Sequence, residues 1–402
     1  MDAELEHSSK AVREMRLHLI LPRVEPTKIT LPAVCPYPGC QGKHFRQRQE
    51  VRKPLRDTVY PEVTARRYEC LRCKRTFRQY PPGVTSAHTS LRVKGLAVML
   101  YLLGLSYGAV SLLLEALGAY LCKSRVYDAV QTAAERVPGL KRQSVFEHIR
   151  TPAIGGDLTS VKCNGRWLPL GLVVDDIQGL VLTVDELSGE DARTLQDWIA
   201  PIAESVGAEL LVTDDADGFK TVAEELGLEH QVCKSHVKRN TDELIASLQS
   251  ALAQGTDCSL TALGITPEQA LADLQQLGRL IQTRQPEEQV ELERLHDRYQ
   301  GATPPSKGKT ASLAYRLHLL FLDRWNLWPL LTRYRTWHGP NGETIDGTNN
   351  ACERGIGWWI KERYRSMRGY KRVKSAVNIS RLLAFCGNFL KRGGVDLALI
   401  VA

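Results

Sequence analysis

Apolar residues recur at helical spacing from Leu91 to Leu103 and again from Ser106 to Leu117, with Gly104 between the runs and Gly118 after them. A third helical stretch, SRVYDAVQTAAERV, begins at Ser124. Residues 95–114 are twenty positions without a charge, long enough to cross a bilayer. Gly104, Ser106 and Gly108 interrupt them and Ser106 can cap a helix, so two packed helices are predicted and no membrane span. From Ala153 the period shortens to that of strands. AIGGDLTSVKCN, WLPLGLVVDD and GLVLTVDEL are separated by turn signals at Asn164–Arg166 and Ile177–Gly179. A helix with Ser188 as its expected cap follows, then the strand AELLVTD, the helix FKTVAEELG and the strand LEHQVCK. The order βββαβαβ predicts a mixed sheet flanked by helices. Beyond it, ITPEQALADLQQLGRLIQ, EEQVELERLHDRY and SLAYRLHLLFLDRW have helical periodicity, broken by GATPPSKGKT at 301–310, and predict an all-helical insertion over 240–346.

Charge changes the picture at two places. The 402 residues are 43% hydrophobic and 24% charged, ordinary for a globular chain of two or three domains, but the net charge of +8 is uneven. Residues 41–80 hold twelve Lys/Arg against four acids, and KERYRSMRGYKRVK, from Lys361 to Lys374, holds seven basic residues against Glu362. Two separated basic patches fit a long polyanion. CPYPGC (Cys35, Cys40) directly precedes the first and CLRC (Cys70, Cys73) lies within it, a spacing suited to two knuckles joined by a hairpin. Four thiolates there predict one structural Zn²⁺ in a zinc ribbon, with His44 as a substitute ligand. Arg72, Lys74 and Arg75 would then lie on a phosphate backbone. The three helices read as a helix-turn-helix, with Lys123 and Arg125 where a recognition helix meets base edges. Ten cysteines without an apolar N-terminal segment predict a reducing, cytoplasmic setting.

The stretch LLVTDDADGF, residues 210–219, ends an apolar strand in Asp214, Asp215 and Asp217. One of the last two can cap the helix that follows, but capping does not account for all three. The strand order is that of a ribonuclease H-like fold, in which Asp157 and Asp214 reach adjacent positions on one rim. Two carboxylates there repel unless a cation lies between them, and Mg²⁺ is the hard ion that suits oxygen ligands. A third acid is expected from a later helix: Glu353 in GTNNACERG, although Asn350 with Glu353 equally fits a capping box.

GGDLTSVK around Asp157, LLVTDDADGF around Asp214, HQVCKSHVKRN with Cys233 and His236, and TNNACERG around Glu353 together resemble the prokaryotic DDE insertion-sequence transposases, close to the Mutator-like superfamily. The resemblance implies a multidomain chain with an α/β RNase H-like catalytic core and an all-α insertion. It makes Asp157, Asp214 and Glu353 ligands of two catalytic Mg²⁺ (or Mn²⁺), and Cys233 with His236 a helper pair. Its implied partners are double-stranded DNA, both transposon ends and target, and at least one further copy of the chain; no membrane is involved. The expected segments are an N-terminal stretch over 1–28, the zinc ribbon over 29–83, the helix-turn-helix over 84–137 and a linker over 138–152. The core follows over 153–239, the insertion over 240–346, and the rest of the core over 347–402. In that last segment Lys361, Arg363, Arg365, Arg368 and Lys371 are expected on DNA, and the localisation is cytoplasmic, at the nucleoid. Of Trp325, Trp328, Trp337, Trp358 and Trp359, most are expected in the core and one or two on an unstacked base. A DNA-binding regulator that has lost catalysis, or a nuclease of the same fold, is the alternative.

Overall fold

The computed structural model describes residues 18–140, 149–255, 257–367, 369–391 and 394–401. In chain order the elements are β1 (His18–Ile20), β2 (Phe45–Pro54), β3 (Glu62–Cys70), β4 (Thr76–Gln79), α1 (Leu91–Leu102), α2 (Tyr107–Ala116), α3 (Lys123–Leu140), β5 (Ala153–Cys163), β6 (Arg166–Asp175), β7 (Leu180–Glu186), α4 (Ala192–Val206), β8 (Leu210–Thr213), α5 (Asp217–Glu225) and β9 (Glu229–Val232). Then come α6 (Lys234–Gln254), α7 (Pro267–Thr283), α8 (Gln289–Tyr299), α9 (Leu313–Thr332), α10 (Asn350–Arg354), a π-helical stretch (Gly355–Lys361), α11 (Glu362–Met367), α12 (Val373–Lys391), β10 (Gly394–Asp396) and α13 (Ala398–Val401). The chain divides into two compact units: residues 1–147, 160–168 and 355–402, and residues 148–159 and 169–354.

The first unit holds the antiparallel sheet β2-β3-β4 and the helices α1–α3. The uncharged run at 95–114 is two helices: Gly104 takes φ +111°, and the Ser106 side chain accepts from Ala109 N to start α2. Among the described residues no helix is long and apolar enough to cross a membrane. Helix α1 starts the same way, on Ser90, whose buried hydroxyl also donates to Asp57 Oδ2.

The second unit is mixed α/β, with a five-stranded sheet in the order β7-β6-β5-β8-β9. β6 and β7 are antiparallel, while β8 runs parallel to both β5 and β9. The β5–β6 turn is Asn164-Gly165, both at positive φ, the backbone a two-residue hairpin requires. Strands β8 and β9 are buried on nearly every residue; β8, LLVT, reads as an apolar run, whereas β9 buries His230 and Gln231, which bond to Thr213 Oγ1 and Leu331 O. α4 is capped by Asp191 and not by Ser188, because Asp191 Oδ1 accepts Thr194 N.

The helical segment after β9 builds its own core. Leu274, Leu277, Leu292, Tyr299, Leu317, Phe321 and Trp328 from α7, α8 and α9 are all fully buried. Trp337 packs against Ala153, Leu210 and Val212 beneath the sheet, so Trp328 and Trp337 are core residues, and Trp325 lies against His296 at 5.3 Å. The side chains of Trp358 and Trp359, all of Arg368, and the linker residues 141–148, with Lys141 and Arg142, lie outside the described residues.

Candidate active site and thiolate cluster

The parallel pairing of β5 with β8 sets Ala153 beside Leu210, Ile154 beside Leu211 and Gly155 beside Val212. Continued by two residues, that register brings Asp157 level with Asp214, the first residue past β8. The three acids of LLVTDDADGF then separate by environment. Asp214 sits at the rim and its Oδ1 accepts Ala216 N; Asp215 pairs with Lys220 at 2.8 Å; Asp217 opens α5 with its side chain almost fully exposed.

Glu353 reaches the same rim from α10. Asn349, fully buried just before that helix, donates from Nδ2 to Gly156 O at 2.9 Å, and its backbone N–H points at Cys233 Sγ at 3.2 Å. One side chain therefore joins the Asp157 strand, the Glu353 helix and the start of α6. Its Oδ1 is buried without a partner. The approach is close: a Cβ added to Gly155 would lie 3.1 Å from Asn349 Oδ1, 3.2 Å from Cys352 Sγ and 3.0 Å from Val174 Cγ2. The Gly-Gly before Asp157 thus makes room for the TNNACE segment. Asn350 is itself the first residue of α10, and Glu353 Oε1 lies 3.4 Å from His236 Nε2.

Cys233 is the N-cap of α6 and His236 lies three residues on, so the C-x-x-H spacing puts both on one side of the first helical turn. Cys233, His236 and Glu353 each offer a ligand atom within 4.8 Å of the others. Burial pushes the Cys233 thiol up, but the hydrogen bond from His236 and the N–H groups of Asn349 and His236 outweigh it and leave the thiol below its usual value. The same contact with Cys233, aided by Glu353, raises His236. Asp157 is pushed up to about 6, first by burial and then by the charges of Asp214 and Glu353, against the stabilising N–H of Leu158. Three carboxylates grouped at a half-buried rim, one of them reluctant to ionise, are a donor set that fits a divalent oxygen-seeking cation. Among the described residues the three do not form a cluster at ligand spacing; Glu353 groups instead with Cys233 and His236. A half-buried acid absent from the sequence reading, Asp176, is raised to about 7 by desolvation and by Asp346 and Asp175. Asn349 was missed too, since an asparagine before a helix reads as an ordinary cap.

In the first unit, Cys35, Cys40, Cys70 and Cys73 converge, with Cys35–Cys73 and Cys40–Cys70 both at 3.8 Å between sulfurs. Four thiolates about 2.3 Å from a tetrahedral Zn²⁺ stand about 3.8 Å apart, so the spacing fits that ion. The N–H groups of Cys73 and Arg72 hold the Cys70 thiol down to about 7. His44 is not part of the cluster. Arg72, Lys74 and Arg75 are exposed on the second knuckle, and Arg75 lies over the Tyr37 ring at 5.3 Å. Lys123 and Arg125 are exposed at the start of α3, Arg125 beside Asp128 at 3.6 Å. Lys361, Arg365 and Lys371 are exposed as well. Arg363 departs from the expectation: it is buried, donates to the carbonyls of Gly104 and Leu105 beyond α1, and stacks on Tyr101 at 4.1 Å. Those carbonyls lie in the turn between α1 and α2, so backbone acceptors and an aromatic ring hold the guanidinium inside the first unit.

No protein-family profile and no curated protein matches the chain. Among solved structures it is similar to the HTLV-2 integrase catalytic core domain in complex with magnesium, in a dimeric form (18% identity, 27% of this chain and 75% of that one, TM-score 0.19) and a trimeric form (17%, 32% and 84%, 0.19). It is also similar to the catalytic core domain of BIV integrase (11% identity, 53% of this chain and 97% of that one, TM-score 0.18). At such scores the reading rests on the chain's own strand order, acids and motifs.

Proposed function

We propose that the chain is a DNA transposase whose RNase H-like core cuts a phosphodiester at a transposon end and joins the freed 3′-OH to target DNA. The observation that carries it is the β5–β8 register, whose continuation by two residues would level Asp157 with Asp214, together with the bond by which Asn349 ties the Glu353 helix to Gly156. That assembly joins the four motifs on which the resemblance to DDE transposases rests.

In this reading Asp157, Asp214 and Glu353 are the carboxylates that would hold two Mg²⁺, or Mn²⁺. Bound there, the metal pair would stabilise the entering and leaving oxygens of an in-line displacement. The protein's part is position. Asn349 fixes the distance between the Asp157 strand and the Glu353 helix. His236 holds the Glu353 carboxylate through Nε2, and Cys233 beside it strengthens the imidazole's hold on its proton. The residues 29–83 would form a zinc ribbon on Cys35, Cys40, Cys70 and Cys73, and 84–137 a helix-turn-helix with Lys123 and Arg125 toward DNA. The residues 240–346 are the helical insertion between the second and third acids. Pairing two DNA ends requires at least a dimer, and the setting is the cytoplasm of a prokaryote.

The test is a labelled transposon end, taken from inverted repeats flanking the gene, incubated with Mg²⁺ and a target plasmid. Wild type should cut and join it; Asp157→Asn, Asp214→Asn and Glu353→Gln should bind the end and do neither. Cutting without joining would make the chain a nuclease. Binding with no cutting by wild type would make it a DNA-binding regulator.

A further inference from the structure

The sheet β2-β3-β4 has a face whose side chains the zinc cluster does not explain. Alternation along the strands puts Lys53, Ala65, Arg67, Arg78 and Tyr80 on it. Arg67 and Arg78 are direct cross-strand partners. Like charges directly opposite one another destabilise a sheet, yet no carboxylate separates them. Glu69, further along the same face, is paired with Arg48. Arg67 donates to Thr76 Oγ1, and Arg78 has no hydrogen bond or ion pair among the described residues. Lys53 is buried: its ammonium donates to Ala87 O at 2.5 Å and faces the Tyr80 ring at 5.8 Å, and burial lowers its pKa. These residues, with Ser86 and His88, line a cavity of about 260 Å³, and none of its lining residues is acidic.

We infer that this cavity is a phosphate site in which Arg67 and Arg78 clamp a backbone phosphodiester of duplex DNA over Lys53. The forks of two guanidiniums on neighbouring strands match the oxygens of one phosphate, and the incoming negative charge relieves the opposed cations. The site is separate from the exposed knuckle of Arg72, Lys74 and Arg75 and does not depend on base sequence. Its DNA assignment rests on the transposase reading; its phosphate chemistry does not.

The experiment uses the full chain with Arg67→Gln/Arg78→Gln, both positions exposed, and Arg72→Gln/Lys74→Gln for comparison. Binding of a duplex of arbitrary sequence is measured from 50 to 200 mM salt, and melting in inorganic phosphate against chloride at equal ionic strength. Loss of one phosphate contact should lower the slope of log K against log salt by about 0.9. Phosphate should raise the melting temperature of wild type and not of Arg67→Gln/Arg78→Gln, and in chloride that variant should melt no lower than wild type. An unchanged slope with phosphate stabilisation lost would replace DNA by a free phosphate ligand and overturn the DNA assignment. A lower melting temperature in chloride, or phosphate acting equally on both proteins, would overturn the site. If wild type binds no DNA but still responds to phosphate, the transposase reading falls and the anion site stands.

Discussion

At the scale of single residues the site is defined by what its carboxylates cost without metal. Asp157 is raised to about 6 in the fold, above the value near 3.9 of an unfolded aspartate. Between those values the folded chain binds a proton that the unfolded chain has released, so stability falls as pH rises through that window. Two pH units correspond to about 3 kcal/mol. In EDTA, Asp157→Asn should therefore lose less melting temperature than wild type from pH 4.5 to 7 and melt higher at pH 7; a lower value there would mean that the ionised carboxylate makes a stabilising contact. Asn349→Ala removes the donor to Gly156 O and should cost about 1–3 kcal/mol with cleavage lost, read by thermal melts and the labelled-end assay. Cleavage at the wild-type rate would reduce Asn349 to a packing role. Asp157, Asp214, Cys233, His236 and Glu353 were nameable from the sequence because each sits in a short motif within or beside a strand or at a helix start. Asn349 was not, since its bond to Gly156 joins segments nearly two hundred positions apart, and Asp176 was not, since its shift comes from burial and from the distant Asp346.

Elements follow local rules where the end of a helix is exposed and depart from them where it is buried. Ser106 and Ser90 both cap helices, but Ser90 also donates to the buried Asp57, which Arg92 and the N–H groups of Val59 and Tyr60 serve as well. Ser106→Ala should cost about 1 kcal/mol, the usual value of a cap. Ser90→Ala should cost visibly more, because it also strips a partner from a buried carboxylate. Amide hydrogen exchange of α1 and α2 distinguishes the two, and equal effects would show that Asp57 gains nothing from the hydroxyl. In the insertion, Trp328 is fully buried with its Nε1 donating to Gln285 O. Trp328→Ala should cost about 3–5 kcal/mol by cavity formation, measured as lost exchange protection in α7–α9. The helical periods of that segment were plain in the sequence. The cap of α4 was misread at Ser188, since several polar residues precede the helix and only backbone geometry selects Asp191.

At the scale of the whole molecule the two metal chemistries are expected to separate. Elemental analysis should find one Zn²⁺ per chain, absent from Cys70→Ser and retained in Asp157→Asn. Zinc retained by Cys70→Ser would remove the ribbon. The basic surface should separate too: Arg125→Ala should weaken discrimination between a transposon end and arbitrary DNA, whereas Arg72→Ala with Lys74→Ala should weaken both and flatten the salt dependence. Equal losses on both DNAs for Arg125→Ala would end its assignment to base edges.

The sequence by itself determined the order of strands and helices around LLVTDDADGF, the pairing of the four thiols, and the splitting of the uncharged run at 95–114. Each is a local matter of period, capping and ligand spacing. Only the tertiary structure decided which basic side chains face solvent. Arg363 is indistinguishable by pattern from Arg365, yet one donates to backbone carbonyls of the distant α1–α2 turn and the other is exposed. It also decided that Arg67 and Arg78 stand opposite each other on one sheet face, because cross-strand register is fixed by hydrogen bonds between segments whose own sequences carry no record of their partner.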